Sequence, residues 1–325
     1  MKIAHLLSSK IFAGIEQHVY ELSSFMSDAS DQFIICDKDI HHHMDRIKTT
    51  DLNIGSRYSP FNTYKLIKFL QTNNVSILHC HGAKASTIGK AVKIFSNIKV
   101  VSTIHGHKKN NSAFTNMDAV IGVNELLVKN IPNSTYIPNW FNPSHAGERS
   151  SRSGPIIAIG RLEKVKGFDQ LVKSWININE CLEIIGPGPE EATLNKLIQD
   201  LNLQDRIQII TNCNYDNIES KYKTASGLIV SSLREGGPRV VLEAINHEIP
   251  VLGSRVGIIP DLIPNECISE PGNQESLQIL LEEMIPLLPQ LNMEGIKAAL
   301  IENYSVASAA KKTKEIYEAL LKANS

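Results

Sequence analysis

LIVSSLREGGPRVVLEAINHEIPVLGS, residues 228–254, carries the clearest folding signal in this chain. A short apolar run leads through a Gly-Gly-Pro turn into a segment with the apolar period of a helix, and a second apolar run follows. Strand, helix and strand in this order predict a βαβ unit with parallel strands. The helix is expected to begin near Pro238, because proline suits the first helical position.

The same alternation extends through both halves of the chain. Apolar runs that predict strands buried on both faces lie at 2–7, 33–36, 76–80, 100–104 and 119–123, and again at 155–160, 181–186, 206–210, 227–232 and 250–254. Helical segments separate them at 16–26, 63–71, 84–95, 167–178, 190–201, 215–224 and 238–247. Two such sets in series predict an α/β fold of two doubly wound, Rossmann-like domains that face each other across a cleft.

A segment rich in Ser, Gly and Pro, FNPSHAGERSSRSGP at 141–155, marks the border between these domains. We predict an N-terminal domain at 1–145 and a C-terminal domain at 146–305, each large enough to bury its own core. We predict one more helix in 306–325 and consider an arrangement in which it packs back on the N-terminal domain.

The composition, 42% hydrophobic and 21% charged over 325 residues, is typical of a globular enzyme. The five cysteines are scattered without the spacing of a disulfide framework or zinc ribbon, so we expect reduced thiols in a reducing compartment. The first apolar run is too short for a signal peptide, and no segment reaches the roughly 18 apolar residues of a membrane span. We therefore expect a cytoplasmic location, with any membrane contact peripheral and on the inner face.

Charge is distributed unevenly. Residues 1–150 hold 16 basic and 11 acidic residues, whereas the remainder is acidic. Between Leu52 and Met117 there is no acidic residue and there are nine basic ones: Arg57, Lys65, Lys68, Lys84, Lys90, Lys93, Lys99, Lys108 and Lys109. Such a stretch indicates either a solvated surface or an anionic partner, either acidic phospholipid or a phosphate-bearing acceptor. Nucleic acid is not expected, because no binding motif or aromatic array accompanies the charge.

Two cations follow the predicted strand that ends at Gly160. Arg161 and Lys166 lie in the loop before the next helix, where Arg binds phosphate oxygens bidentately and Lys adds a compact charge. Gly167 permits a tight turn into that helix, whose N-terminus adds partial positive charge. Alone, this pattern is weak and common on protein surfaces.

A second segment strengthens the prediction of a phosphate-binding site. Glu235 stands before the Gly236-Gly237-Pro238 turn, and Glu243 lies about five residues into the following helix. Amides of Gly236 and Gly237 can approach a ligand closely because neither residue has a side chain. Together with the helix N-terminus, they can stabilise a departing nucleotide diphosphate.

These segments resemble the retaining glycosyltransferases of the GT-B architecture (family 4, glycosyl transferases group 1), which include lipopolysaccharide and capsule enzymes. The resemblance rests on Gly160-Arg161-Leu162 with Lys166-Gly167, on the Glu235-Gly236-Gly237-Pro238 turn with Glu243, and on IIGPGPEE at 184–191. It implies that Arg161 and Lys166 hold the donor diphosphate, that Glu243 holds the ribose and that Glu235 contacts the donor sugar. It also implies that neither metal nor cofactor is required, and the sequence has no D-x-D motif.

The N-terminal half resembles the family in two segments. AGIEQHVYEL at 13–22 is similar to a glycine loop that approaches the donor phosphate, with Gly14 retained and Ala13 in place of the other glycine. STIHGH at 102–107 is similar to the acceptor-side histidine segment, so we expect His105 to orient an acceptor hydroxyl or contact the donor sugar. His79 and His81 share one strand face, but no third metal ligand is apparent, which favours structural roles.

The expected function is retaining, metal-independent transfer from a nucleotide-sugar, with a UDP-sugar favoured, to a glycan or lipid-linked glycan acceptor in cell-surface polysaccharide or lipopolysaccharide biosynthesis. The N-terminal domain would bind the acceptor and the C-terminal domain the donor. A nucleotide-sugar epimerase or a glycogen-type phosphorylase of this architecture, and a non-catalytic nucleotide-sugar-binding subunit, are the alternatives. A helix over Lys84–Phe95 with Ile88, Val92 and Phe95 at helical spacing could lie on an anionic bilayer; the alternative is that this stripe is core.

Overall fold

The computed structural model describes residues 1–27, 31–52, 54–106, 110–141, 153–212 and 215–322. The chain forms two compact units. The first consists of Met1–Trp140 with Val306–Ser325, and the second is Phe141–Ser305. The predicted border at 145 and 146 lies outside the described residues, as do His107, Lys108, Lys109 and Cys213.

The first unit is built on a sheet of seven parallel strands: β1 (Lys2–Leu6), β2 (Asp31–Ile35), β3 (Lys48–Thr50), β4 (Ile77–His81), β5 (Lys99–Ile104), β6 (Ala119–Gly122) and β7 (Ser134–Tyr136). Their order across the sheet is β3-β2-β1-β4-β5-β6-β7. The chain therefore runs from β1 to one edge and then crosses back to β4 on the other side of β1, which is the doubly wound pattern.

Helices cover both faces of this sheet: α1 (Gly14–Met26), α2 (Pro60–Thr72), α3 (Gly82–Phe95), the short α4 (Glu125–Val128) and, from the end of the chain, α12 (Val306–Lys322). Leu22 of α1 and Tyr317 of α12 are buried in one apolar cluster with Ile3 and Ile77 of the sheet. A separate cluster on the sheet joins α2 and α3 to the strands. Because Tyr317 is fully buried, α12 is part of the core of the first unit.

The second unit has a six-stranded parallel sheet: β8 (Ile156–Ile159), β9 (Leu182–Ile185), β10 (Ile207–Ile210), β11 (Gly227–Val230), β12 (Val251–Ser254) and β13 (Ile268–Ser269). The strand order is β10-β9-β8-β11-β12-β13. The four strands in its middle are almost wholly buried, which explains why they consist of apolar residues on both faces rather than alternating ones.

Seven helices of the second unit lie among the described residues: α5 (Phe168–Ser174), α6 (Glu191–Asp200), α7 (Tyr215–Thr224), α8 (Arg239–Asn246), α9 (Ile259–Leu262), α10 (Gln274–Met284) and α11 (Glu294–Tyr304). One continuous core joins them to the sheet, with the fully buried Trp175 at the end of α5 as its largest side chain. The Trp175 indole donates to the carbonyl of Glu180 at 2.9 Å, so its polar atom is satisfied.

The predicted fold class, two Rossmann-like domains with parallel sheets, is confirmed. Each predicted strand is present, and the helix of the opening segment begins at Arg239, one residue after the expected position. Sequence patterns did not indicate β3, β7 and β13, which are short and lack an apolar run. The helix α10 was also not predicted, although Leu277, Leu280, Leu281 and Met284 recur there at helical spacing.

The interpretation of α3 as a membrane-facing helix is wrong. Ile88 and Val92 are buried in the core of the first unit, and only Phe95 of the three apolar residues is exposed. Lys90 donates to Ser112 and Thr115, and Lys93 pairs with Asp118 at 3.0 Å. The apolar stripe is therefore core. All three lysines on this helix bind groups of the protein itself, since Lys84 donates to the Ser8 carbonyl at 3.5 Å.

No helix within the described ranges is both long and apolar enough to cross a membrane.

Gly186 directly follows β9 at the carboxyl edge of the second sheet, so a substitution there tests how tightly the loops at that edge are packed. It has a φ of 139°, and a Cβ there would overlap the carbonyl oxygen of Gly160. We expect Gly186→Ala to destabilise the protein by about 2 kcal/mol, because an alanine must adopt a backbone conformation reserved for glycine and displace a carbonyl. The measurement is the shift in thermal unfolding.

Gly295 in α11 is the matched control, since a Cβ there meets nothing within 4 Å. Gly295→Ala should be neutral or stabilising, as alanine favours a helix over glycine by about 1 kcal/mol. Equal melting shifts for the two variants would refute the tight packing of the loop after β9.

Candidate active site

The candidate donor site lies at the point in the second sheet where the strand order reverses, between β8 and β11. The strands β8 and β11 are neighbours, yet the chain first proceeds outward from β8 to β9 and β10 before returning to β11. In open α/β folds, ligands bind outside the carboxyl ends of the strands at such a switch point in the strand order. Arg161 and Lys166 follow β8, and Glu235 follows β11.

Backbone contacts hold these two loops together. The Leu233 amide donates to the Val165 carbonyl at 2.8 Å, and the Ser231 hydroxyl donates to the Lys166 carbonyl at 2.9 Å. Gly167 has a φ of 65°, and a Cβ on it would overlap the carbonyl oxygen of Ser231. Glycine is therefore required at 167 both for its left-handed conformation and for the close approach of the second loop.

Lys166 and Glu235 meet across this junction. The Lys166 Nζ lies 2.6 Å from Glu235 Oε1, and the Ser232 hydroxyl donates to the same oxygen at 2.6 Å. Their side chains are only 23% and 12% exposed. A charge-assisted pair with this much burial is stronger than a surface pair, so it holds an ammonium and a carboxylate in fixed positions at the switch point.

Arg161 is placed differently. Its side chain is 65% exposed, and its Nε pairs with Glu163 Oε1 at 2.7 Å. Among the contacts described for it, none joins it to Lys166, so the structure brings only one of the two predicted phosphate-binding cations against Glu235. Both stay predictions as diphosphate ligands.

The turn before α8 is packed against the loop that follows β12. Gly236 and Gly237 are half-buried. Gly257 has a φ of 57°, and a Cβ on it would lie 3.3 Å from both the Glu235 Cβ and the Pro238 ring. This close packing fixes the turn in front of the α8 N-terminus, where backbone amides and the helix dipole favour an anion.

Glu243 lies in the middle of α8 with its side chain only 18% exposed, and it is oriented by two residues that the sequence analysis missed. Tyr222 of α7 donates its hydroxyl to Glu243 Oε2 at 2.9 Å, and Arg239 lies 3.6 Å from Oε1. The Tyr222 ring is buried and stacks on His247 with 5.4 Å between centroids. Arg239 is four residues before Glu243, a spacing at which side chains on a helix meet, so its role was readable from the sequence.

The first sheet has a corresponding switch point between β1 and β4. The helix α1 begins at Gly14 after β1, and a Cβ on Gly14 would meet nothing within 4 Å. The backbone amide of Ala13 donates to Glu16 Oε2 at 3.1 Å, and burial raises the pKa of Glu16. The end of the loop before Gly14 is thus held, through Ala13, by a carboxylate of α1.

His105 joins a cluster of five histidines at this edge. His105 Nε2 lies 3.4 Å from His81 Nδ1, and His81 Nε2 lies 3.1 Å from His5 Nδ1. The His18 ring packs edge-on against His105, with 4.5 Å between centroids. His79 is held by Tyr317 and Thr103. Sequence reasoning missed His5 and His18, although a doubly wound order places β1 beside β4 and therefore His5 beside His79.

Burial determines the charge of this cluster. It lowers the pKa of His5 to about 4 and the pKa values of His79 and His81 well below the ordinary value. Neighbouring histidines lower the pKa values of His79 and His81 further. These three rings are therefore neutral at pH 7 and act as hydrogen-bonding groups rather than cations.

Two families match this chain. Glycosyltransferase Family 4 matches residues 12–128, and Glycosyl transferases group 1 matches residues 147–287. A phosphatidylinositol N-acetylglucosaminyltransferase component of Arabidopsis thaliana is 24% identical, over 96% of this chain and 80% of the relative. N-acetyl-alpha-D-glucosaminyl L-malate synthase of Bacillus anthracis is 25% identical, over 64% of each chain.

Solved structures agree in fold. Sucrose-phosphate synthase from Thermosynechococcus elongatus has a TM-score of 0.84 at 17% identity, with 99% of both chains covered. HepE of Anabaena in complex with UDP and glucose has a TM-score of 0.83 at 15% identity, with 98% of this chain and 100% of that chain covered. Likeness at such identities shows the two-domain GT-B fold alone.

Substitution of Lys166 tests the candidate donor site. We expect Lys166→Ala to weaken binding of UDP roughly tenfold to hundredfold, because one charge-assisted hydrogen bond to phosphate is lost and the Glu235 carboxylate loses its cation. Isothermal titration calorimetry with UDP measures the change.

Lys164→Ala is the matched control, since Lys164 is exposed in the same turn. It should bind UDP within twofold of the unmodified protein. Equal weakening by both substitutions would mean that general positive charge, and not the position of Lys166, attracts the ligand.

Proposed function

This chain belongs to the group 1 glycosyl transferases, and on that premise we propose that it transfers a glycosyl group from a nucleotide-sugar to a hydroxyl acceptor with retention of anomeric configuration and without a metal ion. The pair of Lys166 and Glu235 at the switch point of the second sheet carries this proposal. An ammonium and a carboxylate side by side support the proposal, because a nucleotide-sugar has its diphosphate next to its sugar.

Other groups at the same edge of the second sheet would make the remaining contacts with the donor. Lys166, Arg161 and the amides of Gly236 and Gly237 would hold the diphosphate in front of α8. The exposed guanidinium of Arg161 can turn from Glu163 toward a bound phosphate, because surface ion pairs contribute little. Glu243, held by Tyr222, would accept hydrogen bonds from the ribose hydroxyls. Glu235 would bind hydroxyls of the donor sugar.

For the donor we propose UDP-N-acetylglucosamine. The names of the Arabidopsis and Bacillus relatives both specify an N-acetylglucosaminyl group, and the Anabaena structure contains UDP. The acceptor is proposed to be a lipid-linked or glycan hydroxyl in the synthesis of cell-surface polysaccharide or lipopolysaccharide. The Arabidopsis relative, whose name specifies phosphatidylinositol, supports a lipid acceptor.

Catalysis would rest on charge stabilisation. As the glycosidic bond to the diphosphate breaks, Arg161, Lys166 and the N-terminus of α8 stabilise the charge that develops on the leaving phosphate. That phosphate takes the proton of the attacking hydroxyl on the same face of the sugar, which gives retention. Gly14 allows the loop after β1 to approach the donor, and His105 orients a substrate hydroxyl.

A transfer assay tests this reaction. With UDP-N-acetylglucosamine and a lipid extract as acceptor, the protein should release UDP and form product in the presence of EDTA. Glu243→Gln should lower kcat/KM about tenfold to hundredfold, because an uncharged amide is a weaker partner for two ribose hydroxyls. NMR of the product should show the anomeric configuration of the donor.

Glu283→Gln is the control, since Glu283 is an exposed residue of α10 in the same unit, and its activity should be unchanged. Donor binding without release of UDP would favour a non-catalytic binding protein, and conversion to an epimeric UDP-sugar would favour an epimerase. Loss of activity in EDTA, restored by a divalent cation, would contradict the metal-independent mechanism.

We also propose that the first unit contacts an anionic membrane, from the cytoplasmic side, through the start of α2. Tyr58, Phe61 and Tyr64 are 73%, 73% and 63% exposed there. Phe61 and Tyr64 line a cavity of about 340 Å³ together with Lys68 and with Lys65, whose ammonium donates to the Leu52 carbonyl at 2.7 Å. Exposed aromatic rings beside lysines suit the interface of an acidic bilayer, where each lysine adds about 1 kcal/mol.

Vesicle sedimentation measures this contact. Binding to vesicles with phosphatidylserine should fall at least fivefold when Tyr58, Phe61 and Tyr64 are all changed to Ser, because three apolar groups no longer enter the interface. Leu126→Ser is the control, since Leu126 of α4 is 67% exposed in the same unit but lies outside the basic stretch. Equal binding by the triple variant, or no binding by the unmodified protein at low salt, would contradict the proposal.

A further inference from the structure

Ser232 is a buried serine in the loop after β11, three residues before Glu235. Its hydroxyl donates to Glu235 Oε1 at 2.6 Å, and the Lys166 Nζ lies 2.6 Å from the same oxygen. We propose that Ser232 is a positioning residue that holds Glu235 by Oε1, so that Oε2 accepts a hydrogen bond from a hydroxyl of the donor sugar. The inference rests on the proposed function, because it assigns a partner to one atom of that donor site.

The donor and acceptor roles in this contact follow from the groups themselves. An ammonium only donates and a carboxylate oxygen accepts, so the Ser232 hydroxyl gives its proton to Oε1. Within the described part of the chain, both hydrogen bonds to Glu235 end on Oε1. A carboxylate accepts at about four lone-pair sites, two on each oxygen. Two donors therefore fill the capacity of Oε1, and Oε2 keeps its capacity to accept.

The stem of Glu235 is restrained as well as its carboxylate. A Cβ on Gly257 would lie 3.3 Å from the Glu235 Cβ, so the loop after β12 packs closely against this side chain. The Glu235 side chain is only 12% exposed. Because its Cβ is packed and its Oε1 is bound by two donors, the carboxylate has little freedom before a ligand arrives. An acceptor that is already fixed loses less side-chain entropy on binding.

Ser232 has a task that Lys166 cannot perform alone. The Lys166 stem crosses Gly160, where a Cβ would lie 3.2 Å from the Lys166 Cε, and the ammonium in the proposed function also binds the diphosphate. Phosphate oxygens and Glu235 then compete for the same three protons. Ser232 is uncharged and buried in its loop, so it continues to hold Oε1 when the ammonium turns toward phosphate. Ser232 thereby makes the sugar contact independent of the phosphate contact.

A purely structural tie between the two loops is the competing explanation. Two hydrogen bonds already join these loops. The Leu233 amide donates to the Val165 carbonyl, and the Ser231 hydroxyl donates to the carbonyl of the next residue of that loop. Taking a carboxylate out of water costs free energy that one ion pair offsets only in part, whereas an apolar residue would fill the same junction without that cost. A ligand that uses the second carboxylate oxygen explains why an acid occupies this place.

Isothermal titration calorimetry with UDP and with UDP-N-acetylglucosamine tests the assignment, because only the second ligand carries a sugar. Ser232→Ala removes the hydroxyl and leaves Lys166 in place. It should weaken binding of UDP-N-acetylglucosamine about fivefold to thirtyfold, while binding of UDP stays within about twofold of the unmodified protein. Equal weakening of both ligands would show a structural tie, and unchanged binding of both would show no role; either result would overturn the inference.

Two other serines of the same unit are the matched comparisons. The Ser231 hydroxyl donates to the Lys166 carbonyl, so Ser231→Ala should weaken UDP and UDP-N-acetylglucosamine by equal factors. The exposed Ser220 donates to the Asn217 carbonyl within α7 at 2.7 Å, and Ser220→Ala should leave both affinities unchanged. A selective loss of the sugar-bearing ligand in either comparison variant would contradict a special role of position 232.

A double-mutant cycle tests whether Ser232 acts through Glu235. Combined with Glu235→Gln, Ser232→Ala should cause no further loss of UDP-N-acetylglucosamine binding, because both substitutions act on one carboxylate. Losses that multiply would overturn the inference. If Ser232→Ala does not fold, Ser232→Cys is nearly isosteric and keeps only a weak donor, so it should show the same selective loss at a smaller size. Unchanged binding of the sugar-bearing ligand by a folded Ser232→Cys would contradict the role.

Donor analogues that each lack one free hydroxyl of the sugar identify the group that Oε2 binds. For at least one analogue, Ser232→Ala should change the affinity less than about twofold, because the hydroxyl that Glu235 would bind is already absent. An undiminished effect of Ser232→Ala on every analogue would overturn the inference while the proposed function stands. If the unmodified protein binds neither UDP nor UDP-N-acetylglucosamine, the proposed function itself is refuted, and the assignment of Ser232 with it.

Discussion

The close approach of Gly167 to the Ser231 carbonyl is the contact on which the candidate donor site depends. A side chain at 167 would overlap that oxygen, so only glycine lets the loop after β8 meet the loop after β11. The contact occurs at the one place in the second sheet where neighbouring strands are far apart in the chain. Two hydrogen bonds beside it, from Leu233 and Ser231, then hold Lys166 against Glu235. The site is thus a consequence of parallel strand order, made rigid by one glycine.

Both units have a switch point in their strand order, but the side chains at the two switch points differ in kind. At the switch point of the second sheet, the side chains of Lys166 and Glu235 are charged and partly exposed. At the switch point of the first sheet, five imidazoles occupy the corresponding edge, and burial keeps three of them neutral. A buried cation would require a counter-charge, whereas neutral His5 and His81 hydrogen-bond to each other and neutral His79 hydrogen-bonds to the hydroxyls of Tyr317 and Thr103. The first unit can therefore bury a polar cluster at little cost and present only His105 near its surface.

Residues that the sequence motifs do not contain position those that they do. Tyr222 of α7 holds Glu243 of α8, and Ser232 shares Glu235 with Lys166. Gly257, after β12, packs against the Glu235 turn. These contacts are made by residues of neighbouring strands and helices, so a search for motifs along the chain does not identify them. Substitutions at such positions change the geometry of the site without removing a motif residue.

The sequence by itself determined the strand and helix pattern, the doubly wound fold class and the motif residues Arg161, Lys166, Glu235 and Glu243. These features could be predicted because apolar runs, helical period and glycine turns depend only on residues that are close together in the chain. Tertiary structure alone decided that Ile88 and Val92 are core, that Arg161 pairs with Glu163, and that His5 and His18 join His81 and His105. These facts depend on which strands become neighbours and which helix face is covered. Contacts between residues distant in the chain have no local signature, because packing free energy is shared among all the segments that meet.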